Sequence, residues 1–246
     1  MENFTEFDNL TTTPQKDSSS IISHAFGIYK KTFLYAILAI VLTIIGSYIF
    51  SFFAELITGF DAESMQEFAK SGSTDYKRIF MMPGYGSFLG LNGLFGLLLY
   101  PIYAGFLYIL NKANFNEQIL VSDLFIGYKQ NTLQIILYGI ISNIILTIAF
   151  SLCFLPGLFL APLFIFAFPI LFFENTNAID AIKKSFKIAQ DNYWTIWVIA
   201  VLAFLISISG LILCFVGIIL TAPFLYAAIY SAYCAYNGAP KPIIKE

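Results

Sequence analysis

Two long stretches without a charged residue constrain this chain more than any other feature. Residues 132–173 and 194–236 are 42 and 43 residues long, and neither contains Asp, Glu, Lys, Arg or His. The hydrocarbon core of a bilayer takes about 20 helical residues, so each stretch predicts two membrane-spanning helices joined by a turn. The Leu-Pro-Gly sequence at 155–157 and the segment 214–217 are the predicted turns.

Two further apolar runs lie closer to the N-terminus. Residues 33–57 and 87–110 each have the length of one span, and the polar segment 58–86 separates them. Charged residues make up 11% of the chain, whereas a soluble domain carries roughly 25%. The sequence therefore predicts an all-α fold, a polytopic membrane helix bundle with six transmembrane helices. Four spans with re-entrant segments are the competing arrangement.

A short amphipathic segment precedes three of the spans. Residues 20–31, 119–130 and 178–191 each place apolar side chains on one helical face and polar ones on the other. Asn177, with Asp180 in the first turn, is the predicted N-cap of the third segment. Such helices lie in the membrane interface. The predicted apolar faces are Ile22, Ala25, Phe26 and Tyr29; Val121, Leu124, Phe125 and Tyr128; and Ile179, Ile182, Phe186 and Ala189.

The chain also matches itself at a fixed spacing. Pro101, Pro162 and Pro223 lie 61 residues apart, each behind Tyr or Ala. The pattern predicts three two-span repeats of amphipathic helix, span, turn and proline-bearing span, all in one orientation. The predicted repeats cover about 20–117, 118–177 and 178–238 within a membrane domain at 20–236. A disordered polar tail (1–19) and a short C-terminal tail (237–246) flank this domain.

Basic residues set the predicted orientation. With six spans, ten lysines fall on the side that holds both termini, and Lys70, Lys77 and Arg78 fall on the other. The positive-inside rule then places both termini in the cytoplasm. Because lysine outnumbers arginine twelve to one, the composition points to an AT-rich bacterial genome and thus to a bacterial inner membrane.

Few side chains are candidates for a functional site. Lys183, Lys184 and Lys187 form a basic cluster that can attract anionic lipid head groups, and Glu174 lies close by at the end of a span. Pairing of Glu174 with a lysine, and ordinary topology for the lysines, are the alternatives. The kink prolines Pro101, Pro162 and Pro223 favour helix packing or a substrate-lined centre. His24 is expected to be solvated, and Cys153 and Cys214 to act as small apolar residues.

One part of the sequence resembles a known family. Residues 169–174 (Pro-Ile-Leu-Phe-Phe-Glu) are followed by an Ala-rich basic helix at 178–185 and by Tyr193-Trp194. This order resembles the membrane domain of glycerophosphoryl diester phosphodiesterases and related bacterial integral membrane proteins. The catalytic barrel of those enzymes has no counterpart here. The resemblance therefore implies membrane location and an association with lipid, and it implies no enzymatic activity.

The expected function follows from these observations. We expect a non-enzymatic bacterial inner-membrane protein that binds lipid or organises the membrane, with membrane lipids as partners and no cofactor. A transporter with a pathway along a pseudo-threefold axis is the alternative. An enzyme is disfavoured because no nucleophile and base form a recognisable pattern, and the net charge of −2 gives no sign of a nucleic-acid partner. The oligomeric state stays open.

Overall fold

A computed structural model describes residues 12–71, 77–152, 154–213 and 216–240. Within these residues the regular structure is entirely helical. In chain order the α-helices are α1 (Ser18–Thr58), α2 (Ala62–Lys70), α3 (Lys77–Phe80), α4 (Tyr85–Leu97), α5 (Tyr100–Asn114), α6 (Thr132–Leu152), α7 (Phe154–Leu160), α8 (Ala167–Phe173), α9 (Ala178–Asp191), α10 (Tyr193–Ile208), α11 (Val216–Thr221) and α12 (Phe224–Asn237). Three 3-10 helices lie at Val121–Tyr128, Ala161–Phe164 and Ser209–Leu213.

Six helical segments of the described chain are long and apolar enough to cross a membrane. The prediction of an all-α, six-span membrane bundle is thus confirmed in preference to four spans. The candidate spans are Ser18–Thr58, Tyr85–Asn114, Thr132–Leu152, Leu155–Phe173, Tyr193–Ile212 and Gly217–Asn237.

The first amphipathic segment does not form a helix of its own. α1 continues unbroken for 41 residues, so the prediction of a separate interfacial helix over 20–31 is wrong. Residues 18–58 contain no proline, the residue that most reliably breaks a helix. At 1.5 Å per residue α1 is roughly 60 Å long, about twice the ~30 Å thickness of a hydrocarbon core. Part of the helix must therefore extend beyond the core.

The start of α1 overlaps the last two residues of the predicted N-terminal tail. The backbone N–H of Ser20 donates to the carboxylate of Asp17 at 2.9 Å, and a side chain that accepts in this way is an N-cap. The helix therefore begins at Ser18, inside the segment 1–19 that was predicted to be disordered. Residues 1–11 of that segment, and 241–246 of the predicted C-terminal tail, lie outside the described residues.

The second amphipathic segment forms the 3-10 helix Val121–Tyr128, which packs along α5. Leu124 is fully buried there. The other three residues of the predicted apolar face are 41–53% exposed in the protein. An interfacial helix directs its apolar face toward lipid, so this assignment stays a prediction. The 3-10 geometry, with three residues per turn, brings Leu124 and Gly127 onto the face that packs on α5.

The third segment forms α9 and begins as predicted. The Asn177 side chain accepts a hydrogen bond from the Asp180 N–H at 2.9 Å, which confirms the N-cap. α9 packs on α8 and on the 3-10 helix Ala161–Phe164. Small side chains form the buried ridge, whereas Ile179 of the predicted apolar face is 54% exposed. The buried residues of α9 are Ala178, Ala181, Ser185 and Ala189.

A serine of α9 replaces backbone hydrogen bonds that are lost at the junction between the 3-10 helix Ala161–Phe164 and α8. The 3-10 helix Ala161–Phe164 interrupts the fourth span here, because proline has no N–H to donate. The Ser185 hydroxyl donates to the Leu163 carbonyl at 2.7 Å and accepts from the Phe166 N–H at 3.2 Å. Ser185 is fully buried, so both freed backbone groups find partners inside the protein.

The other two kink prolines also stand at helix boundaries. Pro223 immediately precedes α12, and Pro101 lies in the first turn of α5. Near Pro223 the freed Leu220 carbonyl accepts a 2.7 Å hydrogen bond from the Tyr29 hydroxyl. The order of helices is compatible with the predicted repeat, which itself stays a prediction.

The turns differ in detail from the prediction. α6 ends at Leu152 and α7 begins at Phe154, so the Leu-Pro-Gly sequence at 155–157 lies inside α7. Proline is tolerated in the first turn of a helix because that N–H has no intrahelical partner. Cys153, Cys214 and Phe215 lie outside the described residues, and so does that part of the second predicted turn.

The described residues divide into two compact units, one containing 12–40 and 100–240 and the other 41–99. In the smaller unit the Ser51 hydroxyl donates to the Asn92 amide oxygen at 3.1 Å. The rings of Phe50 and Phe95 stack at 5.3 Å in the same unit. The larger unit contains all the candidate site residues.

Candidate functional site

The larger unit encloses a cavity of about 490 Å³ that is partly open to its surroundings. Its walls come from α5, α6, α7, α8, α10, α12 and the 3-10 helix at Pro162. The volume is within the roughly 300–1,000 Å³ that is usual for small-molecule sites. The lining residues are Tyr100, Tyr103, Tyr138, Ser142, Asn143, Leu146, Phe150, Leu158, Ala161, Pro162, Phe164, Ile165, Phe168, Ala200, Val201, Phe204, Leu225, Tyr226 and Ile229.

The chemistry of the cavity is apolar with a few hydrogen-bonding groups. None of its lining residues is Asp, Glu, Lys, Arg or His. The polar atoms come from four tyrosines, Ser142 and Asn143. Ser142 donates to the Tyr138 carbonyl at 2.7 Å, so its proton is already used within α6. An uncharged and largely apolar ligand fits this lining best, since a buried charge would have no counter-ion.

A tyrosine–asparagine pair forms the best-defined polar feature of the cavity. The Asn143 Nδ2 group donates to the Tyr100 hydroxyl at 2.7 Å and to the Gly139 carbonyl at 2.8 Å. Next to this pair, the rings of Tyr103 and Tyr226 stack nearly parallel with centroids 4.8 Å apart. The cavity wall thus carries hydroxyl and amide groups that converge from three helices.

The exposed lining residues of the cavity belong to α6 and α10. Three of the lining residues are exposed, namely Asn143 and Phe150 on α6 and Phe204 on α10. Asn143 and Phe204 both lie near the middle of their candidate spans. Part of the cavity lining is therefore accessible from outside the helix bundle at the depth of the membrane.

The predicted head-group residues are found together at the surface, but they largely neutralise one another. Lys184 Nζ lies 2.6 and 2.7 Å from the two carboxylate oxygens of Glu174, and Lys183 lies 4.0 Å from Asp180. Three positive and three negative charges, including Lys187 and Asp191, thus sum to zero around α9. The attraction of about 1 kcal/mol per lysine is correspondingly weakened.

Glu174 is better described as a connection between helices. Besides Lys184 of α9, it accepts hydrogen bonds from the Tyr233 hydroxyl at 3.4 Å and from Asn237 Nδ2 at 3.3 Å. Both of these partners belong to α12. The carboxylate therefore joins α8, α9 and α12, and the alternative that Glu174 pairs with a lysine is confirmed.

His24 is not solvated, and this prediction was wrong. Its side chain is 3% exposed and lies between Ser231 Oγ at 3.0 Å and Asn114 Oδ1 at 3.2 Å. Tyr230 and Asn111 extend the same buried network through a 2.7 Å hydrogen bond. The network joins α1, α5 and α12. Asn114 is 90 residues and Ser231 is 207 residues from His24 in the sequence.

The kink prolines contribute unequally to the cavities. Pro162 lines the main cavity, and Pro223 lines a smaller one of about 90 Å³ beside Tyr103 and Tyr226. The Pro101 carbonyl instead lies against Gly127 of the 3-10 helix. Sequence analysis missed the tyrosines of the cavity, because in the sequence they look like ordinary interface aromatics.

Within the described residues no group of three or more His, Cys, Asp and Glu side chains could hold a metal ion. No protein-family model matches this chain, and neither a curated protein nor a solved structure matches it.

Proposed function

We propose that this protein is a non-enzymatic membrane protein that binds lipid and that the cavity lined by Tyr100 and Asn143 receives an apolar lipid chain. The single observation that carries the proposal is a partly open cavity of about 490 Å³ that has no Asp, Glu, Lys, Arg or His in its lining and has exposed lining residues on two spans. A chain that enters from the bilayer gains van der Waals packing against such a lining and not desolvation from water, and the lining offers no charge for a polar ion.

Two further observations support a lipid ligand. The segment 169–194 resembles the membrane domain of glycerophosphoryl diester phosphodiesterases, a resemblance that implies association with lipid. Lys183 and Lys187 are exposed on α9 and can add a modest attraction to anionic head groups. Lys184, which is held by Glu174, adds little to that attraction.

Filling the cavity tests the proposal. Ala200 lines the cavity and is partly exposed, so the Ala200→Phe variant should occupy the space of the chain without overpacking the core. Purified protein in lipid nanodiscs should bind tritiated oleyl alcohol, a single-chain lipid, above the background of empty nanodiscs. We expect the variant to bind it at least about tenfold more weakly, which corresponds to about 1.4 kcal/mol.

Val198→Phe is the matched control. Val198 belongs to the same helix, is 39% exposed and is not among the lining residues, so this variant adds the same ring outside the cavity. Wild-type binding is expected for it. If Ala200→Phe binds the labelled lipid as well as Val198→Phe does, the cavity is not the site.

A transporter is the second candidate function. The observation that favours it is the broken fourth span, since the 3-10 helix at Pro162 lines the cavity, and interrupted helices often form transporter sites. Proteoliposomes separate the two functions. A transporter accelerates movement of the labelled lipid between leaflets, whereas a binding protein retains it without increased transfer.

We also propose that both termini lie in the cytoplasm of a bacterial inner membrane, on the strength of the lysine distribution. Lys77 and Lys187 are both exposed, so Lys77→Cys and Lys187→Cys are matched reporters in a chain whose native cysteines are replaced by alanine. An impermeant thiol reagent should label only the Lys77→Cys protein on intact spheroplasts, and both proteins after lysis. Labelling of Lys187→Cys alone would reverse the orientation.

A further inference from the structure

The donors and acceptors of the Asn143–Tyr100 pair define what the cavity can recognise. Both hydrogens of Asn143 Nδ2 are used, one by the Tyr100 hydroxyl and one by the Gly139 carbonyl. A carbonyl can only accept a hydrogen bond, so the contact with Gly139 fixes which end of the amide is nitrogen. Asn143 Oδ1 is thereby directed away from that contact and has no partner among the described residues.

Tyr100 complements this acceptor. Its oxygen accepts from Asn143, and its own proton has no acceptor among the described residues. Asn143 is exposed and lines the cavity together with Tyr100. The pair therefore presents one acceptor and one donor in a cavity that is otherwise mostly hydrocarbon. Tyr226, whose hydroxyl likewise has no hydrogen-bond partner in the described chain, adds a further donor to the lining.

We infer that this pair recognises the hydroxyl group of an uncharged lipid, such as a long-chain alcohol or a monoacylglycerol, whose chain fills the rest of the cavity. This inference rests on the proposed lipid binding and specifies its ligand class. A hydroxyl donates to Asn143 Oδ1 and accepts from the Tyr100 O–H at once. An ether or ester oxygen accepts only, and it leaves the asparagine oxygen without a partner, which is unfavourable in an apolar site.

Competition between two matched lipids tests the inference. Unlabelled oleyl alcohol and its methyl ether differ only in the hydroxyl proton, and each competes with tritiated oleyl alcohol for protein in nanodiscs. One hydrogen bond in such a site corresponds to about a fivefold change in affinity. We expect the ether to compete about fivefold less well than the alcohol on the wild-type protein.

Two variants test which protein atoms cause the preference for the alcohol over the ether. Asn143→Leu keeps the size of the side chain and removes the acceptor, so the ratio between ether and alcohol should fall to about one. Tyr100→Phe removes a donor that serves both lipids, so both should bind more weakly while the alcohol is still preferred. Asn92→Leu, which removes an asparagine of the smaller unit bonded to Ser51, is the control and should keep the wild-type ratio.

The outcomes separate this inference from the proposed function. Equal competition by alcohol and ether, with both abolished by Ala200→Phe, overturns hydroxyl recognition and leaves lipid binding in place. A preference for the alcohol that persists in Asn143→Leu also overturns it. Failure of the wild-type protein to bind labelled oleyl alcohol at all overturns the proposed function.

Discussion

Replacing Asp123 by alanine should lower the free energy of unfolding by about 3–5 kcal/mol, the usual effect of removing one partner from a buried ion pair. The Asp123 carboxylate is completely buried and lies 2.7 Å from Lys112 Nζ, whose side chain is 12% exposed. The same carboxylate accepts from the Leu120 N–H at 2.9 Å. Without Asp123, the lysine charge stays in a poorly solvated place and the 3-10 helix loses its cap.

Two further variants show whether burial causes this loss. Asp180→Ala removes the acidic partner of an ion pair whose side chains are 59% and 74% exposed, and such pairs contribute about 0–1 kcal/mol. The double variant Lys112→Met/Asp123→Leu removes both buried charges together and should recover much of the stability. Unfolding in mixed micelles of dodecylmaltoside and SDS, followed by circular dichroism, measures all of these variants. If Asp123→Ala lowers the free energy of unfolding no more than Asp180→Ala does, the buried ion pair contributes no more to stability than the exposed one.

Gly105→Ala should be nearly as damaging, at about 3 kcal/mol, near the upper end of the usual range for overpacking. A Cβ atom at Gly105 would overlap the backbone carbonyl of Leu124. A backbone group has no alternative rotamer, so the 3-10 helix and α5 would have to separate. A Cβ atom at Gly127 would likewise overlap the backbone carbonyl of Pro101, and Gly127→Ala should behave in the same way.

Gly93→Ala should have the opposite effect on the free energy of unfolding. Gly93 lies inside α4, and beyond the adjacent backbone of α4 itself no described atom would be within 4 Å of an added Cβ. Alanine should therefore stabilise α4 by roughly 0.5–1 kcal/mol through its higher helix propensity. The same micelle titration compares the three glycine variants. A Gly105→Ala protein as stable as the wild type would mean that α5 and the 3-10 helix are not in backbone contact.

Features with a local cause could be predicted from the sequence. The uncharged stretches at 132–173 and 194–236 identified four spans because a bilayer demands length and apolarity, and both are visible in a linear pattern. The Asn177 cap was likewise predictable, since it involves residues three apart. The prediction of a separate interfacial helix at 20–31 failed for a related reason. When no helix-breaking residue lies between an amphipathic segment and the following span, the sequence pattern does not show whether the two form one continuous helix.

The candidate site could not be predicted from the sequence pattern, because it forms where residues far apart in the chain pack together. The partners of His24 are 90 and 207 residues away, so its burial follows only from how three helices meet. Tyr100 and Asn143 are 43 residues apart, so no local pattern indicates that they form a hydrogen bond. The cavity lies among side chains of α5, α6, α7, α8, α10 and α12. Its volume depends on the size of every side chain that lines it.

Ser185 has a consequence for how the chain is made. The Leu163 carbonyl and the Phe166 N–H find their partner on a residue synthesised 22 and 19 positions later. Until Ser185 leaves the ribosome, these two groups have no such partner, and an unpaired backbone group in lipid costs several kcal/mol. The fourth span should therefore remain near the polar surface or at the translocation channel during synthesis. Its final placement then coincides with the docking of α9, which makes that helix a step in the insertion of the span before it.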